Sequence, residues 1–170
     1  HLSKFVLNNK DHSFSVFLEK NIIDNNVIKS SSSGISETFF SLSESLYSQR
    51  MFDTSIAFCQ LAIFLDEKKA ICKYLIAQNY QSLQKSNIAI NYLKQVKLNS
   101  YLGWNSFIKL SDLQLEIQDY LSAENTLKEL TKYKNDRIDV HYKLGELYHS
   151  QKKYSKAINS FSKSISFLNQ

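Results

Sequence analysis

The residues of this 170-residue chain best equipped for covalent, acid–base or metal chemistry are four histidines, His1, His12, His141 and His149, and two cysteines, Cys59 and Cys72. Nucleophilic catalysis needs a nucleophile and a base converging on one pocket, with the base itself oriented by a third group. No pair here has spacing that argues for such a site. His141 stands among regularly spaced apolar residues, where a packed imidazole is the simpler reading, and His149 falls on the polar side of the same stretch. Cys59 and Cys72 lack Cys-x-x-Cys spacing and the companion ligands of a zinc site. They permit one intrachain disulfide, which nothing in their spacing favours, and Cys59 falls where a small buried hydrophobe belongs. The chain reads as non-enzymatic, with no metal and no cofactor.

The elements that carry these residues follow from a recurrence. Residues 141–165 read HYKLGELYHSQKKYSKAINSFSKSI. Thirty-four residues before Leu144, Gly145, Tyr154, Ala157 and Phe161 stand Leu110, Ser111, Tyr120, Ala123 and Leu127. The same step leads on to Ile76, Ala77, Ser86, Ala89 and Leu93, then to Leu42, Ser43, Phe52, Ser55 and Cys59. Self-similarity at this period marks a repeat architecture, here four units without insertion at 36–69, 70–103, 104–137 and 138–170. Within the last unit, His141, Leu144, Leu147 and Tyr148 share one helical stripe. The polar break Ser150–Lys153 follows, and a second stripe runs through Tyr154, Ala157, Ile158, Phe161 and Ile165. Each unit is therefore helix, turn, helix, with breaks expected near Gln49, Gln84, Gln118 and Gln151. The small residues at the eighth and twentieth places, such as Gly145 and Ala157, let the paired backbones approach closely.

Composition agrees with a globular helical chain. No proline interrupts a helix interior, and no run of about eighteen apolar residues offers a membrane span, so membrane insertion is not expected. No targeting signal is visible, and the compartment is not readable. Residues 1–35 do not keep the register. They read as an N-terminal helical capping or linker segment, or as the remnant of an earlier repeat. Leu2, Phe5 and Val6 would close one helix, and a short helix would span about His12 to Ile23. The run Ser30–Gly34 reads as a loop, with Ser33 as N-cap of the first full repeat and Glu37 in its first turn.

The pattern resembles the tetratricopeptide repeat, whose thirty-four-residue unit carries W-x₂-L-G-x₂-Y and then A-x₃-F. Leu144, Gly145, Tyr148, Ala157 and Phe161 match best. Lys73, Gln114 and the missing terminal prolines depart from the pattern. The resemblance implies an all-α fold, a right-handed α-solenoid of helix-turn-helix repeats. The stretch Ser100–Trp104 is similar to inter-repeat turns of long bacterial repeat proteins, which favours a bacterial parent with further repeats.

In the geometry that the resemblance implies, first helices line a concave surface. The residues turned into it are Glu37, Phe40, Glu44, Tyr47, Tyr74, Gln78, Ile108, Asp112, Glu116, Asp139, Tyr142, Glu146 and His149. Such a groove is acidic and partly aromatic, offset only in part by Lys109 and Lys143, and Phe40, Tyr74 and Tyr142 are its expected anchors. The lysines gather on the second helices, so the convex side should be basic. The tetratricopeptide domains that grip a C-terminal carboxylate use a basic clamp on these first helices; here the matching places hold Phe40, Tyr74, Ile108 and Tyr142, then Glu44, Gln78, Asp112 and Glu146. The expected function is a non-enzymatic scaffold holding a peptide or helix with basic and apolar residues in the groove. The alternative is RNA binding through the basic convex face, against which the acidic inner row counts. Phe161, Ile165 and Leu168 would leave an open C-terminal end able to meet a following repeat or another copy of the chain.

Overall fold

The computed structural model describes residues 30–167. The described residues form eight α-helices and no strand: α1 (Ser31–Ser48), α2 (Phe52–Leu65), α3 (Ala70–Ser82), α4 (Ser86–Leu93), α5 (Gly103–Glu116), α6 (Tyr120–Tyr133), α7 (Ile138–Ser150) and α8 (Tyr154–Ser166). Each helix packs against the next, and α1 also touches α3, the layout of an all-α helical repeat solenoid. The readings for Leu2, Phe5, Val6, the helix from about His12 to Ile23, His1 and Leu168 lie outside the described residues.

Within each pair the turn is built the same way. Arg50, Gln84, Gln118 and Lys152, spaced thirty-four residues apart, each have a positive φ between 57° and 62°. Met51 N–H donates to the Leu46 carbonyl and Arg50 N–H to that of Tyr47, both at 2.9 Å. The corresponding bonds recur as Lys85 to Tyr80 and Gln84 to Gln81, Asp119 to Gln114 and Gln118 to Leu115, and Lys153 to Tyr148 and Lys152 to His149. This is the Schellman closure, which satisfies carbonyls orphaned at a helix end. It falls at the polar breaks that the sequence marks, but it uses no glycine. The left-handed backbone costs a non-glycine residue about 1–2 kcal/mol, so packing of the helix pair must hold it in place.

The packing that does so centres on the small places. Ser43, Ala77, Ser111 and Gly145 are buried, as are Ser55, Ala89, Ala123 and Ala157. A Cβ on Gly145 would run into the Phe161 ring, so only glycine lets α7 and α8 come this close. In the first pair serines fill both places, and their hydroxyls are tied across the crossing. Ser43 donates to the Ser55 carbonyl at 2.8 Å, Ser55 to that of Ser43 at 2.9 Å, and the Asn79 amide donates to Ser55 Oγ at 3.0 Å. Gln114, which departs from the aromatic pattern, is likewise buried and accepts from Thr126 at 2.9 Å.

Two local readings are corrected. The serine run is the first turn of α1 rather than a loop, and the N-cap is Ser30, not Ser33; Ser30 Oγ accepts the Ser33 N–H at 3.1 Å. Ser32 and Ser36 donate to the Leu65 and Ala62 carbonyls of α2, so tertiary hydrogen bonds hold residues of low helix propensity in a helix. Glu37 consequently lies beyond the first turn. In the second pair, α4 stops at Leu93, and tighter bonds from Gln95 to Tyr92, Val96 to Leu93 and Ser100 to Lys97 carry the chain to α5. There Gly103 passes so close to the Leu98 carbonyl that a side chain would collide with backbone.

Candidate protein-binding groove

The fifth place of each unit should supply the groove's anchors, and the structure splits it. Phe40 is fully buried in the core, so its role as an exposed anchor is corrected. The Lys69 ammonium lies 5.7 Å above its ring, and Glu37 holds that lysine in an ion pair, which closes a lid over the aromatic. Tyr74 and Ile108 are half-buried, whereas Tyr142 remains 49% exposed. Burial, then the nearby Tyr47 and Asp112, push the Tyr74 hydroxyl above its ordinary pKa, which puts these three groups from α1, α3 and α5 in one neighbourhood.

The expected acidity is also reduced. Lys143 on α7 reaches Asp112 on α5 at 2.9 Å and Glu146 at 3.0 Å, knitting successive first helices together. Burial alone would lower the Lys143 pKa; its bonds to Asp112 and Glu146 outweigh that and raise it. Asp139 takes 2.7 Å and 2.8 Å bonds from Arg137 and from the Trp104 indole. These bonds outweigh the effect of burial and hold its carboxyl below the usual range. Glu116 accepts from Ser86 at 2.9 Å and Gln81 at 3.4 Å. Glu44 is different: half-buried and near Glu37, it is pushed up to about 8, chiefly by burial. A row of six carboxylates is therefore far less negative than their number suggests, because Lys69, Arg137 and Lys143 sit among them and Glu44 is mostly protonated at neutral pH. Sequence reasoning missed Lys69 and Arg137 because both fall at the last place of a unit, outside the inner row.

At the far end of the row lies an open pocket of about 770 Å³. Ile138, Tyr142, Phe161 and Ile165 supply its apolar lining, with Arg137, Asp139 and Lys143 beside them. Arg137 is stacked 4.7 Å above the Trp104 ring while it grips Asp139, so these two charges are paired within the chain, and Asp136 also lines the pocket.

Of the groups considered first for chemistry, His141, His149, Cys59 and Cys72 lie among the described residues. His141 is buried, 2.7 Å from the Asn135 carbonyl and stacked on Phe167. His149 is exposed and meets Tyr154 edge-on. Cys59 and Cys72 are free thiols buried together; the hydrogen bond to Cys59, then burial, push the Cys72 thiol up. Among the described residues no group of three metal-ligating side chains comes together, and no helix is long and apolar enough to cross a membrane.

Comparison with known proteins yields a family-model match, described as tetratricopeptide repeat, over residues 138–167. The fold is similar to a crystal structure of MamA, with TM-score 0.69 and 14% identity over 91% of this chain and 87% of that one. A MamA structure from Desulfovibrio magneticus gives TM-score 0.65 and 13% identity, covering 78% and 75% of the two chains. A thermophilic tetratricopeptide-repeat protein of Thermus thermophilus gives 0.58 and 17%, covering 79% and 75%. No curated protein sequence matches.

Proposed function

We propose that this chain, whose residues 138–167 match the tetratricopeptide-repeat model, acts as a non-enzymatic scaffold whose inner row holds a peptide or helix of a partner protein. The observation that carries this reading is Tyr142: a large aromatic, 49% exposed, at the mouth of a pocket lined by Ile138, Phe161 and Ile165. Binding energy at protein interfaces concentrates on a few aromatic and apolar anchors in such pockets, with a polar rim setting register. Tyr47, Tyr74 and Ile108 continue the surface along α1, α3 and α5, and Gln78, Asp112, Glu116 and Glu146 supply the rim. The partner segment is apolar at its anchor. Its basic residues contribute a smaller part, since most inner carboxylates already have partners in the chain. A second copy of this chain, meeting the apolar outer face of α8, belongs to the same class of partner.

Selection from a random peptide display library tests the proposal. Enriched peptides should share spaced apolar residues with Lys or Arg nearby, and should be lost on Tyr142→Ala; enrichment that survives this change would remove the groove from consideration. Exposed lysines on the second helices, among them Lys128, Lys132, Lys156 and Lys163, with Lys94 just past the end of α4, favour RNA as a second reading. Filter binding of mixed RNA that is tight and falls steeply with salt would promote it.

A further inference from the structure

Along the inner row, the ninth place of one unit meets the sixth place of the next. Between the third and fourth units this contact is an ion pair, Asp112 to Lys143 at 2.9 Å. One repeat earlier the same two places hold Gln78 and Lys109, and two repeats earlier Glu44 and Leu75. Charge pairing is therefore broken twice, in opposite senses. The place opposite Lys109 is a neutral amide, and the place opposite Glu44 is a core leucine, 5% exposed. Both charged side chains are half-buried, and among the described residues neither has an ion pair or a hydrogen bond. The other inner carboxyls are all answered: Glu37 by Lys69, Asp112 and Glu146 by Lys143, Asp139 by Arg137, and Glu116 by Ser86. An unpaired charge held partly out of water is costly, so each place favours a ligand group of the opposite sign. Both lie between described helices, Glu44 between α1 and α3 and Lys109 between α3 and α5.

We propose that the inner row reads the charge order of the partner segment: a Lys or Arg side chain seats at Glu44, where the repeat lacks its own lysine, and an Asp or Glu carboxylate seats at Lys109. The inference rests on the scaffold reading above and specifies the segment that the row holds. A segment laid in reverse would put base against Lys109 and acid against Glu44, so charge also fixes its direction. Among the described residues, the other titratable groups facing this part of α1 are Glu37 and Tyr47 on the same helix, Lys69 held by Glu37, Tyr74 on α3 and Cys59 on α2. Burial, then Glu37, raise the Glu44 pKa to about 8. A cation seats there only on the ionised form, so below that pH its binding releases a proton, and the preference for base strengthens as pH rises. The preference for acid at Lys109 has no such dependence.

Selection from a random display library lacking His, at about pH 8.5 and about pH 6, tests this. Peptides enriched on the parent at the higher pH should carry one base and one acid in a fixed order and spacing. The charge swap Glu44→Lys with Lys109→Glu should reverse that order. Glu44→Gln should remove the preference for base alone, and Lys109→Gln the preference for acid alone. These two neutral variants decide the matter if the swap lowers the melting midpoint. An N-acetylated peptide from the parent selection should bind about tenfold more weakly at the lower pH, and Glu44→Gln should abolish that difference. No preferred order, the same order on parent and swap, or a pH dependence that survives Glu44→Gln overturns the proposal. Peptides that depend on Tyr142 but show no charge order would overturn it while the scaffold reading stands; a selection that enriches nothing removes both.

Discussion

The inner rows of α1 and α7 share a register and differ in what they offer. At the fifth place, Phe40 is sealed beneath Lys69 while Tyr142 is half in solvent. At the ninth, Glu44 is a half-buried carboxyl raised to about 8, and Glu146 is a carboxylate paired with Lys143. The crossings beneath them differ too: Ser43 and Ser55 exchange hydrogen bonds in the first pair, and Gly145 and Ala157 pack against apolar surface in the last. The period specifies where a side chain sits and how large it is. Its neighbours decide whether it holds the fold or faces solvent, and by that criterion the proposed binding surface is weighted toward α5, α7 and the pocket beside α8.

The largest expected contrast is in stability. Phe40→Ala should cost about 3–5 kcal/mol of unfolding free energy by urea titration, as for a fully buried aromatic. Tyr142→Ala should change it by no more than about 1 kcal/mol. Equal losses would erase the distinction between the two rows. Next, Ala157→Leu should lower stability by about 1–3 kcal/mol and depress the melting midpoint, since the crossing has no room for added methylenes; an unchanged midpoint would mean that α7 and α8 are not in close contact there. Smaller and of opposite sign, Arg50→Gly and Lys152→Gly should each stabilise by about 0.5–1 kcal/mol, the left-handed strain relieved less the added freedom of the unfolded chain. If only one of the pair responds, the two turns are not equivalent.

The smallest effect concerns pH. Glu44 has a folded pKa of about 8 against an ordinary value of 4.5. Below pH 4.5 both states are protonated and the group is neutral for stability. As pH rises from there to 8, the unfolded state ionises first, so stability falls across that window. Glu44→Gln removes this loss: it should raise the melting midpoint at about pH 8 and leave it unchanged at about pH 4. Solvent at this half-exposed site tempers the gain. Glu146→Gln should show no such pH-dependent gain, and a similar gain in both would place the two carboxyls in the same environment.

Much of the architecture was legible because close helix crossings demand small residues and turns demand polar breaks, and both recur at one period. The start of α1 was not, since Ser32 and Ser36 are held helical by carbonyls of α2 that lie about thirty residues away in sequence. The candidate groove was legible in position but not in character. Phe40 is buried by a lysine at the far end of its own unit, and the carboxylates of the row are neutralised by Lys69, Arg137 and Lys143 across or beside the helices. A single-helix stripe shows which residues share a face; it does not show what the rest of the chain lays over them. Trp104 and Arg137 illustrate the same limit, because their stacking joins the first place of one unit to the last place of that unit.

The most direct test is backbone NMR of the protein titrated with a peptide selected on it from the random library. The account predicts that amide shifts concentrate on α5 and α7, at Ile108, Asp112, Tyr142 and Glu146 and around the pocket at Phe161, with Phe40 on α1 little changed. Shifts confined to the lysine-bearing faces of α6 and α8, or centred on Phe40, would contradict it.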